Sequence, residues 1–132
     1  MTSRQEMPLF AYGTLMFPAI IESVIGRVPA SRSAAIKGYR RLEVSGESFP
    51  GLIKGGDEMI DGLLYFDISQ AEWEKLTQYE GGCYVLEEVT VLSFGMNTSA
   101  LAYTIPSSQR SVLSKKVWNP ESFKISFSRA SR

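Results

Sequence analysis

The most regular hydrophobic pattern in the chain runs over residues 83–94. There Val85, Glu87, Val89 and Val91 share one face of an extended segment, and Tyr84, Leu86, Glu88, Thr90 and Leu92 share the other. That period of two predicts a strand. The near-continuous apolar run Leu63-Leu64-Tyr65-Phe66 predicts another over 59–68. Residues 7–12 form a first strand candidate. Residues 34–44 read as a strand interrupted by Gly38 at a bulge or bend, and 49–53 as the start of a further strand. Lys54-Gly55-Gly56-Asp57 then gives a turn signal. Gly95-Met96-Asn97-Thr98 marks a turn into a return strand over 99–105, and the polar stretch 106–116 reads as a surface loop, with flap length for a nearby site.

Helical signals are fewer. Residues 17–25 predict a short helix, with Pro18 suited to its first turn and Gly26 to its end. Ser69-Gln70-Ala71-Glu72 is a capping-box sequence, in which the serine caps free amides and the glutamate reaches back. The helix it opens is expected to reach about Tyr79 and to stop at Gly81-Gly82. Trp73, Leu76 and Tyr79 or Glu80 fall on or near one of its faces. Asn119 and Pro120 open a terminal helix over 121–128. Several strands at short spacing, with two or three brief helices, do not make the alternating pattern of a parallel βαβ sheet. The expectation is an α+β fold: a small, mainly antiparallel β-barrel with two or three peripheral helices. It forms a single domain over 1–132, its core at about 7–128.

Composition narrows the function more than the fold. A chain of 132 residues, 44% hydrophobic and 21% charged, suits one soluble domain with a real core. Formal net charge is zero, so no global field favours nucleic acid or anionic lipid, and neither is expected as a partner. No apolar run approaches the roughly 20 residues that cross a bilayer, and residues 1–6 lack the apolar core of a signal peptide. Cys83, the single cysteine, excludes an internal disulfide and suits a reducing, cytoplasmic setting. Oligomeric state is left open.

The chain contains no histidine. That removes Ser-His-Asp and Cys-His catalysis and His-ligated zinc, and one cysteine builds no thiolate site. Walker-type and Gly-x-Gly-x-x-Gly loops are missing as well. General acid–base chemistry therefore falls to Asp, Glu, Lys or Tyr. Glu87 and Glu88 face opposite sides of a strand, and Asp57, Glu58 and Asp61 read as a solvated hairpin rather than a magnesium site. Trp73, Trp118 and Phe123 read as core packing, and Cys83 as a small buried residue. Two features stand out. Glu80 lies just after a helix, and its plain reading is a solvated helix-end acid. The dipole there disfavours a carboxylate, however, and the neighbours Tyr79, Cys83 and Tyr84 are rather apolar; partial desolvation would raise a carboxyl pKa toward neutrality. Tyr12-Gly13-Thr14-Leu15 ends a strand on a glycine, whose missing Cβ lets backbone approach a ligand.

Read in order, these residues resemble the gamma-glutamylcyclotransferase-like, or AIG2-like, proteins. Tyr12-Gly13-Thr14-Leu15 is similar to the family's N-terminal Tyr-Gly-Ser/Thr-Leu loop. Phe49-Pro50-Gly51-Leu52 is similar to its Tyr/Phe-Pro-Gly/Ala segment, and Gly62-Leu63-Leu64-Tyr65 to its Gly-x-Leu/Val-Tyr strand. Leu76-x-x-Tyr79-Glu80-Gly81, then Tyr84 and Val89-x-Val91, resembles the catalytic region. Ala102-Tyr103 and Trp118-Asn119-Pro120-x-x-Phe123 also have counterparts, so the likeness runs from about Leu9 to Phe123.

The resemblance implies a barrel with a cavity for a γ-glutamyl group, which cyclises to 5-oxoproline and releases its amine, amino acid or peptide. It assigns the catalytic role to Glu80 and substrate binding to Tyr12, Gly13, Thr14, Leu15, Tyr84 and Tyr103. No metal or cofactor is implied. Two positions depart from the usual pattern: Leu86 stands where an arginine is common, and Thr77 where an aspartate is. The alternative is an inactive module that keeps the cavity for a small anionic metabolite.

Overall fold

Strand β1 (Leu9–Ala11) is only three residues long, yet both its faces are buried. In the computed structural model, which describes residues 6–123, it lies between β3 (Pro50–Tyr65) and β5 (Met96–Thr104). It runs antiparallel to β3, with Leu9 opposite Tyr65, and parallel to β5, with Leu9 opposite Leu101. β4 (Val85–Ser93) pairs antiparallel with β5 along its whole length, and β2 (Ser31–Val44) joins both β4 and β3. The pairings close on themselves. β1, β5, β4, β2 and β3 form the expected small barrel, antiparallel at every seam except β1–β5, and β6 (Leu113–Val117) adds to β2 outside the ring.

Strand alternation sorts the apolar side chains into two cores. Phe10 and Tyr12 meet Ile36, Leu52, Leu64, Val91, Ala100 and Ala102 inside the barrel. Leu9 and Ala11 face the other way, against Ile20 and Ile21 of α1 (Pro18–Ile25) and Trp73 and Leu76 of α2 (Gln70–Glu80). Pro18 occupies the first turn of α1, and Gly26 ends it with φ +87°, as the sequence predicts. The capping box of α2 is complete: Ser69 Oγ accepts from the Glu72 amide at 3.2 Å, and Glu72 Oε1 accepts from the Ser69 amide at 2.9 Å.

Three expectations need correction. Residues 49–53 and 59–68 are not two strands joined by a turn but one continuous strand, β3, ending at Tyr65. Lys37 stands opposite Met59 and Tyr39 opposite Lys54, so four residues of β3 answer the single Gly38 of β2. Gly55 and Gly56, at φ +128° and +87°, accommodate this excursion; a glycine pair signals a bulge as readily as a reversal. Residues 106–116 are not a loop or flap. They form a 3-10 turn (Ser107–Val112) and β6, whose exposed Lys115 and Lys116 suit an edge strand. The β4–β5 hairpin turns on Phe94 and Gly95, at φ +50° and +76°, so β5 begins at Met96 rather than at 99.

Helical backbone begins at residue 120, where Asn119 Oδ1 accepts from the Glu121 amide at 2.8 Å. The rest of the expected helix over 121–128, and the far end of the 7–128 core, lie outside the described residues. No helix among the described residues is long and apolar enough to cross a membrane.

Candidate active site

Beyond β1 the chain passes through Tyr12 and Gly13 into a 3-10 turn (Thr14–Met16), closed by the Met16 amide on the Gly13 carbonyl at 3.0 Å. The N–H groups that open such a turn have no partner within it. Tyr65 fixes the turn from the barrel by donating its hydroxyl to the Leu15 carbonyl at 2.8 Å. Gly13 is required for a reason other than the one its sequence suggests. A Cβ on it would lie 2.7 Å from Pro50 Cγ, so a proline ring fills the space expected for a ligand.

The second wall comes from α2. Glu80 is its last residue, and Gly81 (φ +87°) ends the helix with its amide on the Thr77 carbonyl at 3.2 Å. A cavity of about 180 Å³ opens between this helix end and the loop. It brings together all seven residues singled out from the sequence: Glu80, Tyr12, Gly13, Thr14, Leu15, Tyr84 and Tyr103. Burial pushes the Glu80 carboxyl from 4.5 up to about 7. The carbonyl-rich helix terminus acts in the same direction.

The aromatic lining is tied down by its own hydroxyls. Tyr84 donates to the Pro50 carbonyl at 2.7 Å, and Tyr12 donates to the Tyr103 carbonyl. The Tyr103 hydroxyl shares a hydrogen bond with Thr77 Oγ1 at 2.9 Å, and the Tyr79 hydroxyl one with Thr14 Oγ1 at 3.0 Å. Burial, reinforced by the Glu80 charge, raises all four phenols, Tyr103 to about 12. They stay neutral where Glu80 titrates. Among the described lining residues Glu80 is the one carboxyl, and none is Lys or Arg. The Cys83 thiol beside it is pushed up by burial and by Glu80, the opposite of an activated thiolate.

Thr77 and Leu86, the two departures, line a separate open cleft with Trp73 and Gln70. Thr77 meets the cavity wall at the Tyr103 hydroxyl, and Leu86 stands opposite Tyr103 in the β4–β5 ladder. Phe49, Pro50 and Tyr79 also line the cavity and were not singled out as site residues. Phe49-Pro50 was visible as a motif and Tyr79 as a neighbour of Glu80. Asp57, Glu58 and Asp61 are exposed, and no group of three or more His, Cys, Asp or Glu among the described residues is arranged to hold a metal.

Solved structures share this architecture. An Arabidopsis thaliana protein determined in solution superposes with a TM-score of 0.74 at 20% identity, covering 98% of this chain and 81% of that one. A structure described as a gamma-glutamyl cyclotransferase gives a TM-score of 0.64 at 16% identity, covering 75% of this chain and 66% of its own. At those identities the likeness is one of fold. In sequence, AIG2-like protein D of Arabidopsis thaliana is 29% identical over 84 residues, which is 64% of this chain and 55% of that protein. AIG2-like protein C of the same plant is 26% identical over 92 residues, 70% of this chain and 54% of that protein. The chain thus spans about half the length of the curated relatives it matches. The family model described as gamma-glutamyl cyclotransferase, AIG2-like, matches residues 9–120, from β1 through the Trp118-Asn119-Pro120 segment, and the chain belongs to that family.

Proposed function

We propose that this protein is a γ-glutamyl cyclotransferase-type enzyme. The observation that carries the reading is a single carboxyl, Glu80, desolvated to a pKa of about 7 on an aromatic cavity that the Gly13–Leu15 loop also lines. An α-amine is mostly protonated at neutral pH. Glu80 removes a proton from it, and the freed nitrogen attacks the substrate's own γ-carbonyl carbon. A carbon–nitrogen bond forms, closing the five-membered ring. The ring nitrogen, still carrying two protons, gives up one. The leaving nitrogen gains this proton and the one Glu80 returns as its bond to carbon breaks, so the amine departs as an ammonium. Atoms balance without water or a cofactor. Loop amides hold the α-carboxylate or the developing oxyanion, and a cavity that folds the substrate into an attack geometry supplies much of the rate.

The runner-up is a module that binds a small anionic metabolite without turnover. Its motive is Thr77 and Leu86, which line the other cleft and meet the cavity wall at Tyr103, Thr77 by a hydroxyl hydrogen bond and Leu86 as its cross-strand partner. Neither lines the cavity itself, where Glu80 and the Tyr12–Leu15 loop both stand, and that favours the enzyme. The test offers purified protein γ-glutamyl amino acids, γ-glutamyl-ε-lysine and glutathione, and measures 5-oxoproline. Product is expected from at least one, and none from Glu80→Gln. Equal turnover in that variant removes Glu80 from the mechanism, and saturable binding with no product favours the module.

A further inference from the structure

Arg41 lies outside the cavity, on β2, yet it touches the loop that lines it. Its Nη1 donates to the Tyr12 carbonyl at 3.0 Å and to the Asp61 carbonyl at 3.2 Å. The guanidinium lies 5.3 Å from the ring of Trp118, which is 2% exposed and donates its indole N–H to the Ser48 carbonyl at 2.8 Å. Trp118 in turn packs on Phe123 at 5.8 Å, and Phe123 on Phe17 at 5.2 Å. Phe17 is the residue that ends the 3-10 turn. One cluster therefore grips the loop at both ends: Arg41 at Tyr12 and Phe123 at Phe17.

The grip at Tyr12 also has an electronic consequence. The Tyr12 carbonyl and the Gly13 N–H belong to one peptide group. A cation on the oxygen draws charge through the amide and makes the Gly13 N–H a stronger donor, as hydrogen-bond chains polarise one another in a low dielectric. We propose that Arg41 is a positioning residue for the reaction, holding the Tyr12–Gly13 peptide in place and strengthening the Gly13 amide where it meets substrate charge. This rests on the cyclotransferase reading of the cavity. Arg32 provides the contrast. It shares with Arg41 a buried Nε that has no hydrogen-bond partner among the described residues, but its guanidinium stacks on Phe66 and Phe94, which do not line the cavity.

The experiment compares the parent with Arg41→Met, Arg41→Lys and Arg32→Met. Methionine keeps an apolar stem under Trp118; lysine keeps the charge and serves if the methionine variant does not fold. Arg41→Met is expected to lower kcat by about tenfold to a hundredfold. KM should move far less, Arg41→Lys should recover part of the loss, and Arg32→Met should match the parent. A merely structural residue would lower the melting temperature and leave kcat alone, and that result overturns the proposal. A second readout needs no turnover. The Gly13 amide and Tyr12 carbonyl-carbon resonances should move in Arg41→Met and stay in place in Arg32→Met. If the parent makes no 5-oxoproline, the reaction is lost while the resonances still judge the grip, and unmoved resonances reject it.

Discussion

Glu80 meets two opposed demands, and pH separates them. Below pH 4.5 the carboxyl is protonated in folded and unfolded chains alike. Between 4.5 and about 7 the folded protein keeps a proton that the unfolded chain has released, so stability falls as pH rises through that window and levels off above it. At about 1.36 kcal/mol per pH unit the loss is at most about 3 kcal/mol. Denaturant titrations from pH 4 to 8 should show this decline in the parent and its absence in Glu80→Gln. Activity should run the other way, with kcat/KM climbing to a plateau around a midpoint of about 7, because attack needs the carboxylate. Part of this was legible in sequence: a helix-end acid is ordinarily solvated, and the apolar neighbours Tyr79, Cys83 and Tyr84 were the signal that pointed to burial instead. Gly13 was legible as special but for the wrong reason. Its constraint comes from Pro50, which is 37 positions away and brought close only by the barrel.

At the level of elements, α2 matters because it delivers Glu80, and its start is fixed locally. Removing the cap with Ser69→Ala should cost about 1 kcal/mol in chemical denaturation. Glu72 has a second partner, Arg27, whose Nε and Nη2 reach its two oxygens at 2.6 and 2.8 Å and which is the main cause holding its carboxyl down to about 2. The stabilisation from Glu72 is therefore full above pH 4.5 and lost as pH falls through about 2. It is modest, because the arginine is partly exposed. A capping box can be read from four consecutive letters because its whole chemistry lies within them. β3 could not be read so simply, since Gly55-Gly56 is compatible with a reversal or an excursion and only the pairing with β2 decides. β6 was hidden by its lysines, which resemble a loop until an edge strand needs them.

For the whole molecule, the seam of β1 and β3 tolerates no extra atom. A Cβ on Gly62 would lie 2.4 Å from the Ala11 carbonyl oxygen and 2.8 Å from the Phe10 ring. Gly62→Ala should lose about 3 kcal/mol of stability. Gly82→Ala, with nothing near its Cβ position, should lose little and serves as the control in the same thermal melts. Strand spacing and the family resemblance pointed to the barrel. The parallel β1–β5 contact was not legible, because hydrophobic alternation says which face a strand buries and not which strand lies beside it.

That contact also has a consequence in time. Tyr12 and Tyr103 meet across 91 positions of chain, and β1 is held between partners that include β5. Such long-range closure comes late in folding. On an emerging chain Glu80 leaves the ribosome before β5 does. At that stage no cavity surrounds it, and it is an ordinary solvated acid. The desolvated carboxyl comes into being when the ring shuts, so a half-made or opened chain carries Glu80 without its raised pKa.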